Sequence, residues 1–206
     1  SSSLNSLKTS LDEKKNIIKI NDEILNYTGP KEKWDSKSKL DSLMYFFTVS
    51  GWIFVADVGV LNETINSGKL SIISDMKIKN LVSSLPQQIA QLVEEDRLYR
   101  DDLHMYFLPY VSKNYKLRNI TEFRELYNYS ESNLGKSKYD LNNSELLNEL
   151  EFENILTIQS IWIKFSIEMG ENLNLKYVEI QKLIESKYPD VDYSRLNQDL
   201  EDGFWG

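Results

Sequence analysis

The stretch "LNSLKTSLDEKKNIIKINDEIL" (residues 4–25) decides the fold, because its apolar residues recur at alternating intervals of three and four. This spacing places side chains along one face of a helix, as in the seam of a coiled coil. The seam consists of Leu4, Leu7, Leu11, Lys14, Ile18, Asn21 and Leu25. The pattern predicts a long helix that ends before Gly29 and Pro30, with the apolar seam residues as the interface of a homodimer. The polar residues Lys14 and Asn21 would fix the register of that seam.

The rest of the chain predicts an all-α fold, a bundle of three to four long helices with short corner helices. Helical periodicity continues beyond the first helix, no long alternating strand pattern occurs, and four prolines and eight glycines leave long uninterrupted segments. We expect a single domain over the whole chain. Its parts are an N-terminal heptad helix (1–28), central helices (36–116), C-terminal helices (121–189) and an acidic tail (190–206).

A hinge interrupts the central helices at residues 67–75, within the stretch "TINSGKLSIIS" (64–74). Glycine adopts a positive φ without a Cβ penalty, so Gly68 is placed to end a short helix. We expect Lys69 and Leu70 to begin a segment that tucks its apolar side chains under the core. Ser74 or Asp75 would then cap the next helix.

The start of the last long helix is marked by a capping box, with Asn142 as N-cap and Glu145 at the third helical position. Leu141 and Leu146 flank it at the positions of a hydrophobic staple. We expect the helix to begin at this point and to be interrupted at Gly170 or at residues 172–174.

Composition excludes several functional classes. The chain has a formal net charge of −8, and no basic stripe is present to bind nucleic acid. There is no cysteine, which excludes disulfides, thiolate metal sites and cysteine nucleophiles. Neither a P-loop, a dinucleotide-binding fingerprint nor a serine-hydrolase elbow occurs. We therefore expect no cofactor and no enzymatic activity.

The only histidine, His104, lies one helical turn after Asp101 in a D-x-x-H arrangement. A metal or acid–base site needs more groups than this pair supplies, so we expect a local polar pair of His104 with Asp101 or Arg100 on a solvated face. Asp96 and Arg100 should form an exposed pair at i and i+4 on the same helix.

Four aromatic residues lie on or beside one stripe of that helix, namely Tyr99, Tyr106, Phe107 and Tyr110. They either pack in the core or line a groove at a partner surface, where a ring with a polar tip is favoured. The periodicity alone does not choose between these alternatives.

Two segments, residues 4–20 and 64–82, resemble a family of uncharacterised single-pass membrane proteins of Gram-negative Bacteroidota. The matching residues are Leu4, Leu7, Leu11, Asn16, Ser67, Gly68, Lys69, Leu70, Ile72, Ile73 and Ile78. Thr64 departs from the family pattern, which has leucine there. The resemblance implies an all-α domain at the inner membrane, facing the periplasm and attached by a transmembrane helix ahead of Ser1. It implies no activity.

These observations favour a non-enzymatic, membrane-anchored domain for protein–protein interaction or sensing, acting through a protein partner or through self-association. The alternative is a bundle that binds a small molecule, or a hydrolase based on carboxylates. A deep pocket lined by two or more buried acids would favour the alternative.

Overall fold

The computed structural model describes residues 2–30, 37–49, 54–56, 58–120 and 135–191. Within these ranges the regular secondary structure is helical and no strand occurs, so the all-α prediction is confirmed. The helices are α1 (Ser2–Leu25), α2 (Lys37–Val49), α3 (Gly59–Asn66), α4 (Met76–Asp102), α5 (Leu108–Asn114), α6 (Leu117–Ile120) and α7 (Leu150–Lys187). Short 3₁₀ segments occur at Lys69–Ile72 and Glu145–Asn148, and a π-helical segment at Leu103–Phe107. The predicted acidic tail lies outside the described residues from residue 192 onward.

The chain divides into two compact units. The expectation of a single domain over the whole chain stays a prediction. Unit 1 consists of Ser1–Asp12, Trp52–Glu95 and Ser166–Gly206, and unit 2 of Glu13–Gly51 and Asp96–Phe165. None of the helices in the described ranges combines the length and the apolar composition needed to cross a membrane.

The core of unit 1 is built from the first turns of α1, the middle of α4 and the second half of α7. Its buried residues are Leu7, Leu11, Phe54, Leu85, Ile89, Leu92, Leu173 and Ile180. The expected interruption at Gly170 or at residues 172–174 is wrong, because α7 continues through both. A Cβ at Gly170 would lie 2.7 Å from Leu11 Cδ2, so the missing side chain is what allows α7 to approach α1 closely.

In unit 2, α2 packs against the π-helical segment and α6. The Phe47 and Phe107 rings meet edge to face at 4.8 Å between centroids. Asp41 Oδ1 accepts hydrogen bonds from the Tyr115 hydroxyl and, at 2.9 Å, from Asn143 Nδ2. Since Asp41 lies on α2, these bonds fix α2 against two distant parts of the chain.

The start of the last helix differs from the prediction. Glu145–Asn148 forms a 3₁₀ segment, and α7 begins only at Leu150. Leu146 and Leu147 are both buried, and the Leu147 carbonyl accepts a hydrogen bond of 2.8 Å from Gly29 N. That carbonyl is therefore engaged outside α7, and the capping box forms a corner rather than a helix start.

The hinge has the predicted backbone but a different packing. Gly68 adopts φ 73° and ψ 5°, the left-handed conformation that only glycine takes at little cost. Asp75 Oδ1 caps α4 by accepting from Lys77 N at 2.8 Å and Ile78 N at 3.1 Å. The expectation that the following segment tucks under the core is wrong, because Lys69–Ile72 has no buried residue and Ile72 is 80% exposed.

Candidate functional site

An open groove of about 1150 Å³ lies on unit 2. One wall runs from Arg97 to Asn114 through the end of α4, the π-helical segment and α5, and the other runs from Leu150 to Trp162 on α7. At a helical rise of ~1.5 Å per residue these walls are ~25 Å and ~18 Å long. The groove is therefore elongated.

Large apolar side chains line this groove and remain open to solvent. Met105, Tyr106, Leu150 and Ile158 line it and are between 44% and 70% exposed. Contiguous exposed apolar surface is uncommon on folded domains and marks sites of association. The groove therefore has the chemical character of a binding surface.

The π-helical segment gives the first wall its shape. Its wider turn accommodates one more residue than an α-helical turn, and such bulges are frequent at functional sites. Phe107 is fully buried against Phe47, whereas Met105 and Tyr106 in the same segment face the groove. The segment thus anchors itself in the core and still presents two apolar side chains at the surface.

The walls of the groove run antiparallel, and Asp102 joins them at one end. Gln159 Nε2 on α7 donates a hydrogen bond to Asp102 Oδ2, and Tyr110 stacks on Phe152 at 5.9 Å between ring centroids. Gln159 is 0% exposed, and in the described part of the chain its Oε1 has no hydrogen-bond partner. Burial raises the pKa of Asp102, and the Gln159 hydrogen bond opposes that shift.

The remaining charged residues of the groove are Arg97, Asp101, Lys113 and Glu151. Arg97 forms an ion pair with Asp101 one turn later on α4, and both side chains are partly exposed. No ion pair of Asp102 occurs within the described ranges. Of the acids that line this surface, Asp102 is the one tied to a buried neutral side chain.

The predicted pair of Asp101 and His104 does not form. Asp101 pairs with Arg97, and His104 lies exposed on the π-helical segment, outside the lining of the groove. Within the described ranges, no three carboxylate or imidazole side chains are grouped closely enough to hold a metal ion.

The charged run on α4 is not wholly solvated, contrary to the prediction. Asp96 is 3% exposed and pairs with Lys14 Nζ at 2.7 Å, and Lys14 is 0% exposed. Desolvation lowers the pKa of Lys14, and the nearby Asp96 carboxylate opposes that shift. The expected surface pair of Asp96 with Arg100 is replaced by a buried ion pair, because the partner comes from α1 rather than from the same helix.

Two apolar residues of the predicted homodimer seam, Leu7 and Leu11, are wrong as interface residues because they pack within the chain. Leu7 and Leu11 belong to the core of unit 1. In unit 2, Asn21 Nδ2 donates to the Leu156 carbonyl at 2.8 Å and to Ser160 Oγ at 2.7 Å. The remaining apolar members, Leu4, Ile18 and Leu25, are half-buried. The polar residues of the seam therefore fix contacts of α1 inside the molecule.

The aromatic stripe divides between the two alternatives that the sequence left open. Tyr99 and Phe107 are buried, whereas Tyr106 and Tyr110 line the groove. Asp102 and Gln159 were not singled out from the sequence. The run of charges around Asp102 predicts a solvated face, and no sequence signal pairs it with a glutamine fifty-seven positions away.

Comparison with protein-family models, curated proteins and solved structures found no match.

Proposed function

We propose that this chain is a non-enzymatic protein–protein interaction domain that binds a helical segment of a partner protein in the groove of unit 2. The observation that carries the proposal is the elongated, open groove lined by exposed Met105, Tyr106, Leu150 and Ile158. Grooves of this kind take the apolar face of an amphipathic helix, with anchors spaced at i, i+3, i+4 and i+7.

The dimensions of the groove favour a helix over a small molecule. Walls of ~18–25 Å match about three to five turns of a partner helix. Small-molecule sites typically enclose about 300–1,000 Å³ and bury most of the ligand surface. The groove of about 1150 Å³ exceeds this range and is not an enclosed cavity.

The cellular setting is proposed from the family resemblance alone. It supports a domain at the inner membrane, on the periplasmic side, attached by a helix ahead of Ser1. In that position, binding of the partner's helix in the groove would signal that the partner protein is present. That signal is the proposed sensing role. We propose a protein other than a second copy as the partner, since Leu7 and Leu11 are buried within one chain.

One observation favours a second candidate, a site for a small ligand or for carboxylate-based hydrolysis. Asp102 has a raised pKa through burial and lies in the groove beside Asp101. Two neighbouring carboxyl groups in different environments can take different roles in hydrolysis, one as the general acid and the other as the base. Asp101, however, is exposed and paired with Arg97, so the groove lacks two buried acids and this candidate ranks second.

A matched pair of substitutions tests the proposal in the native host. Ile158→Asp places a charge within the groove, and Val60→Asp places the same charge on exposed α3, which does not line the groove. We expect a partner that co-purifies stoichiometrically with the wild-type chain to be lost with Ile158→Asp and retained with Val60→Asp. Equal recovery with both variants would contradict the proposal, provided that circular dichroism shows both to be folded.

A further inference from the structure

We propose that the groove selects a basic residue on the bound helix, and that the carboxylate of Asp102 is the group that pairs with it. This inference rests on the proposed function and names the chemistry of the partner segment. The occupant is thus a cationic amphipathic helix, with one lysine or arginine facing Asp102 and apolar residues facing the rest of the groove.

The surroundings of Asp102 favour a cation from outside the chain. Its hydrogen-bond donor is the neutral amide of Gln159, whereas the neighbouring Asp101 is already paired with Arg97. Burial raises the pKa of Asp102, which means that the carboxylate is poorly stabilised where it stands. An opposite charge within hydrogen-bond distance would favour the ionised form and remove that penalty.

Gln159 holds the Asp102 carboxylate in place. The amide is fully buried, so it cannot follow Asp102 into solvent. Its Nε2 is bonded to Asp102, and its Oε1, part of the same small amide group, has no hydrogen-bond partner within the described ranges. The Asp102 carboxylate itself lines the groove, so a lysine or arginine on the bound helix can donate to it.

Aromatic rings close to this end of the groove suit a cation as well. Tyr106 and Trp162 line the groove about one helical turn from Asp102 and Gln159 along their respective walls. Cations are attracted to the electron-rich faces of such rings. A basic side chain placed here would therefore be stabilised in two ways, by the charge of the Asp102 carboxylate and by the faces of the neighbouring rings.

The charge of the chain adds a long-range preference. The protein has a net charge of −8, which raises the encounter rate with cationic partners at low salt. Within the groove, Lys113 and Glu151 lie at the opposite end from Asp102, because the walls run antiparallel. At the Asp102 end, Arg97 is engaged by Asp101, so the Asp102 carboxylate is the charge there that a basic residue on the bound helix complements.

The geometry also sets the register of the bound helix. Asp102 and Tyr110 are separated by ~12 Å along the first wall, at ~1.5 Å per residue. Leu150 lies beyond Phe152, the stacking partner of Tyr110, at that far end. A basic residue at Asp102 therefore fits with an apolar anchor about two turns, or seven to eight positions, away on the partner helix.

A helical peptide library tests this inference without knowledge of the natural partner. The probe is a 14-residue helical scaffold, randomised at five positions of one face and displayed on phage. It is selected against the full chain as wild type, Asp102→Asn, Glu151→Gln and Ile158→Asp. Asp102→Asn is isosteric and keeps an acceptor for Gln159, whereas Glu151→Gln removes the same charge at the other end of the groove.

We expect peptides selected by the wild type and by Glu151→Gln to carry a lysine or arginine about two turns from an apolar anchor. Such peptides should bind Asp102→Asn about tenfold more weakly, as for the loss of one charge-assisted hydrogen bond. Selected peptides that carry apolar anchors but no basic residue, and that fail to bind only Ile158→Asp, would overturn this inference. They would leave the proposed function standing. If the wild type enriches no peptides beyond those that Ile158→Asp enriches, both this inference and the proposed function are overturned.

Discussion

At the scale of single residues, the buried pair of Lys14 and Asp96 shows how the chain uses charge in its interior. Both side chains are almost fully buried and 2.7 Å apart. A buried ion pair adds little net stability over well-packed apolar residues, because desolvation offsets the attraction between the charges. Removal of one partner leaves the other charge buried without compensation. Asp96 therefore matters to folding more than its neighbours on the same charged run.

We expect Asp96→Ala to lower the free energy of unfolding by ~3–5 kcal/mol. Asp101→Ala, which breaks the exposed pair with Arg97, should cost at most ~1 kcal/mol. Urea denaturation followed by circular dichroism measures both values. The double variant Lys14→Met/Asp96→Leu should recover most of the loss, and failure to recover it would show that the pair itself is required.

The raised pKa of Asp102 predicts a specific pH dependence of stability. The folded state holds this proton more tightly than the unfolded state does, so the stabilisation is fully present below the unfolded pKa of about 3.9. It is lost as the pH rises through the raised pKa of the folded state. We expect Asp102→Asn to be at least as stable as wild type at pH 7.

Denaturation midpoints at pH 4.5 and pH 7 for wild type and Asp102→Asn test this prediction. The difference between the variants isolates Asp102 from the other carboxylates. A wild type that gains stability relative to Asp102→Asn as the pH rises would contradict it, and would mean that Asp102 already has a cation within the chain.

At the scale of elements, local sequence signals predicted backbone conformation well. The helix of residues 2–25, the left-handed Gly68 and the Asp75 cap each follow from residues a few positions apart. Contacts between distant segments decided the rest. The Gly29–Leu147 hydrogen bond moves the start of α7 to Leu150, and no local pattern contains that information. The π-helical segment likewise depends on burial of Phe107 against Phe47.

The continuity of α7 through Gly170 gives a prediction at this scale. A methyl group at Gly170 would meet Leu11 Cδ2 at 2.7 Å, and overpacking of this kind costs ~1–3 kcal/mol. Alanine regains ~1 kcal/mol of helix propensity, so we expect Gly170→Ala to be net destabilising.

A double-mutant cycle with Leu11→Ala measures that contact directly. Once Leu11 is truncated, Gly170→Ala should become neutral or stabilising, because only the gain in helix propensity remains. An unchanged effect of Gly170→Ala in the Leu11→Ala background would show that the close approach of α1 and α7 in unit 1 does not depend on glycine.

At the scale of the whole molecule, the fold class follows from the sequence but the binding surface does not. Periodicity specifies long helices, and the absence of strand patterns specifies their packing as a bundle. Periodicity does not distinguish a seam that packs inside the chain from one that packs on a second copy, and the structure places Leu7 and Leu11 inside. The groove depends on the register of α7 against the segment from Arg97 to Asn114, which only tertiary contacts fix.

The central claim is that the groove of unit 2 binds a helix of a partner protein. Site-specific photo-crosslinking tests it most directly, with a benzophenone amino acid at Tyr106 in the groove or at Tyr139, an exposed tyrosine outside it. We predict that Tyr106 crosslinks in the native host to one segment with helical apolar periodicity, identified by mass spectrometry, and that Tyr139 does not. Identical products from both positions, or none from Tyr106, would contradict the account.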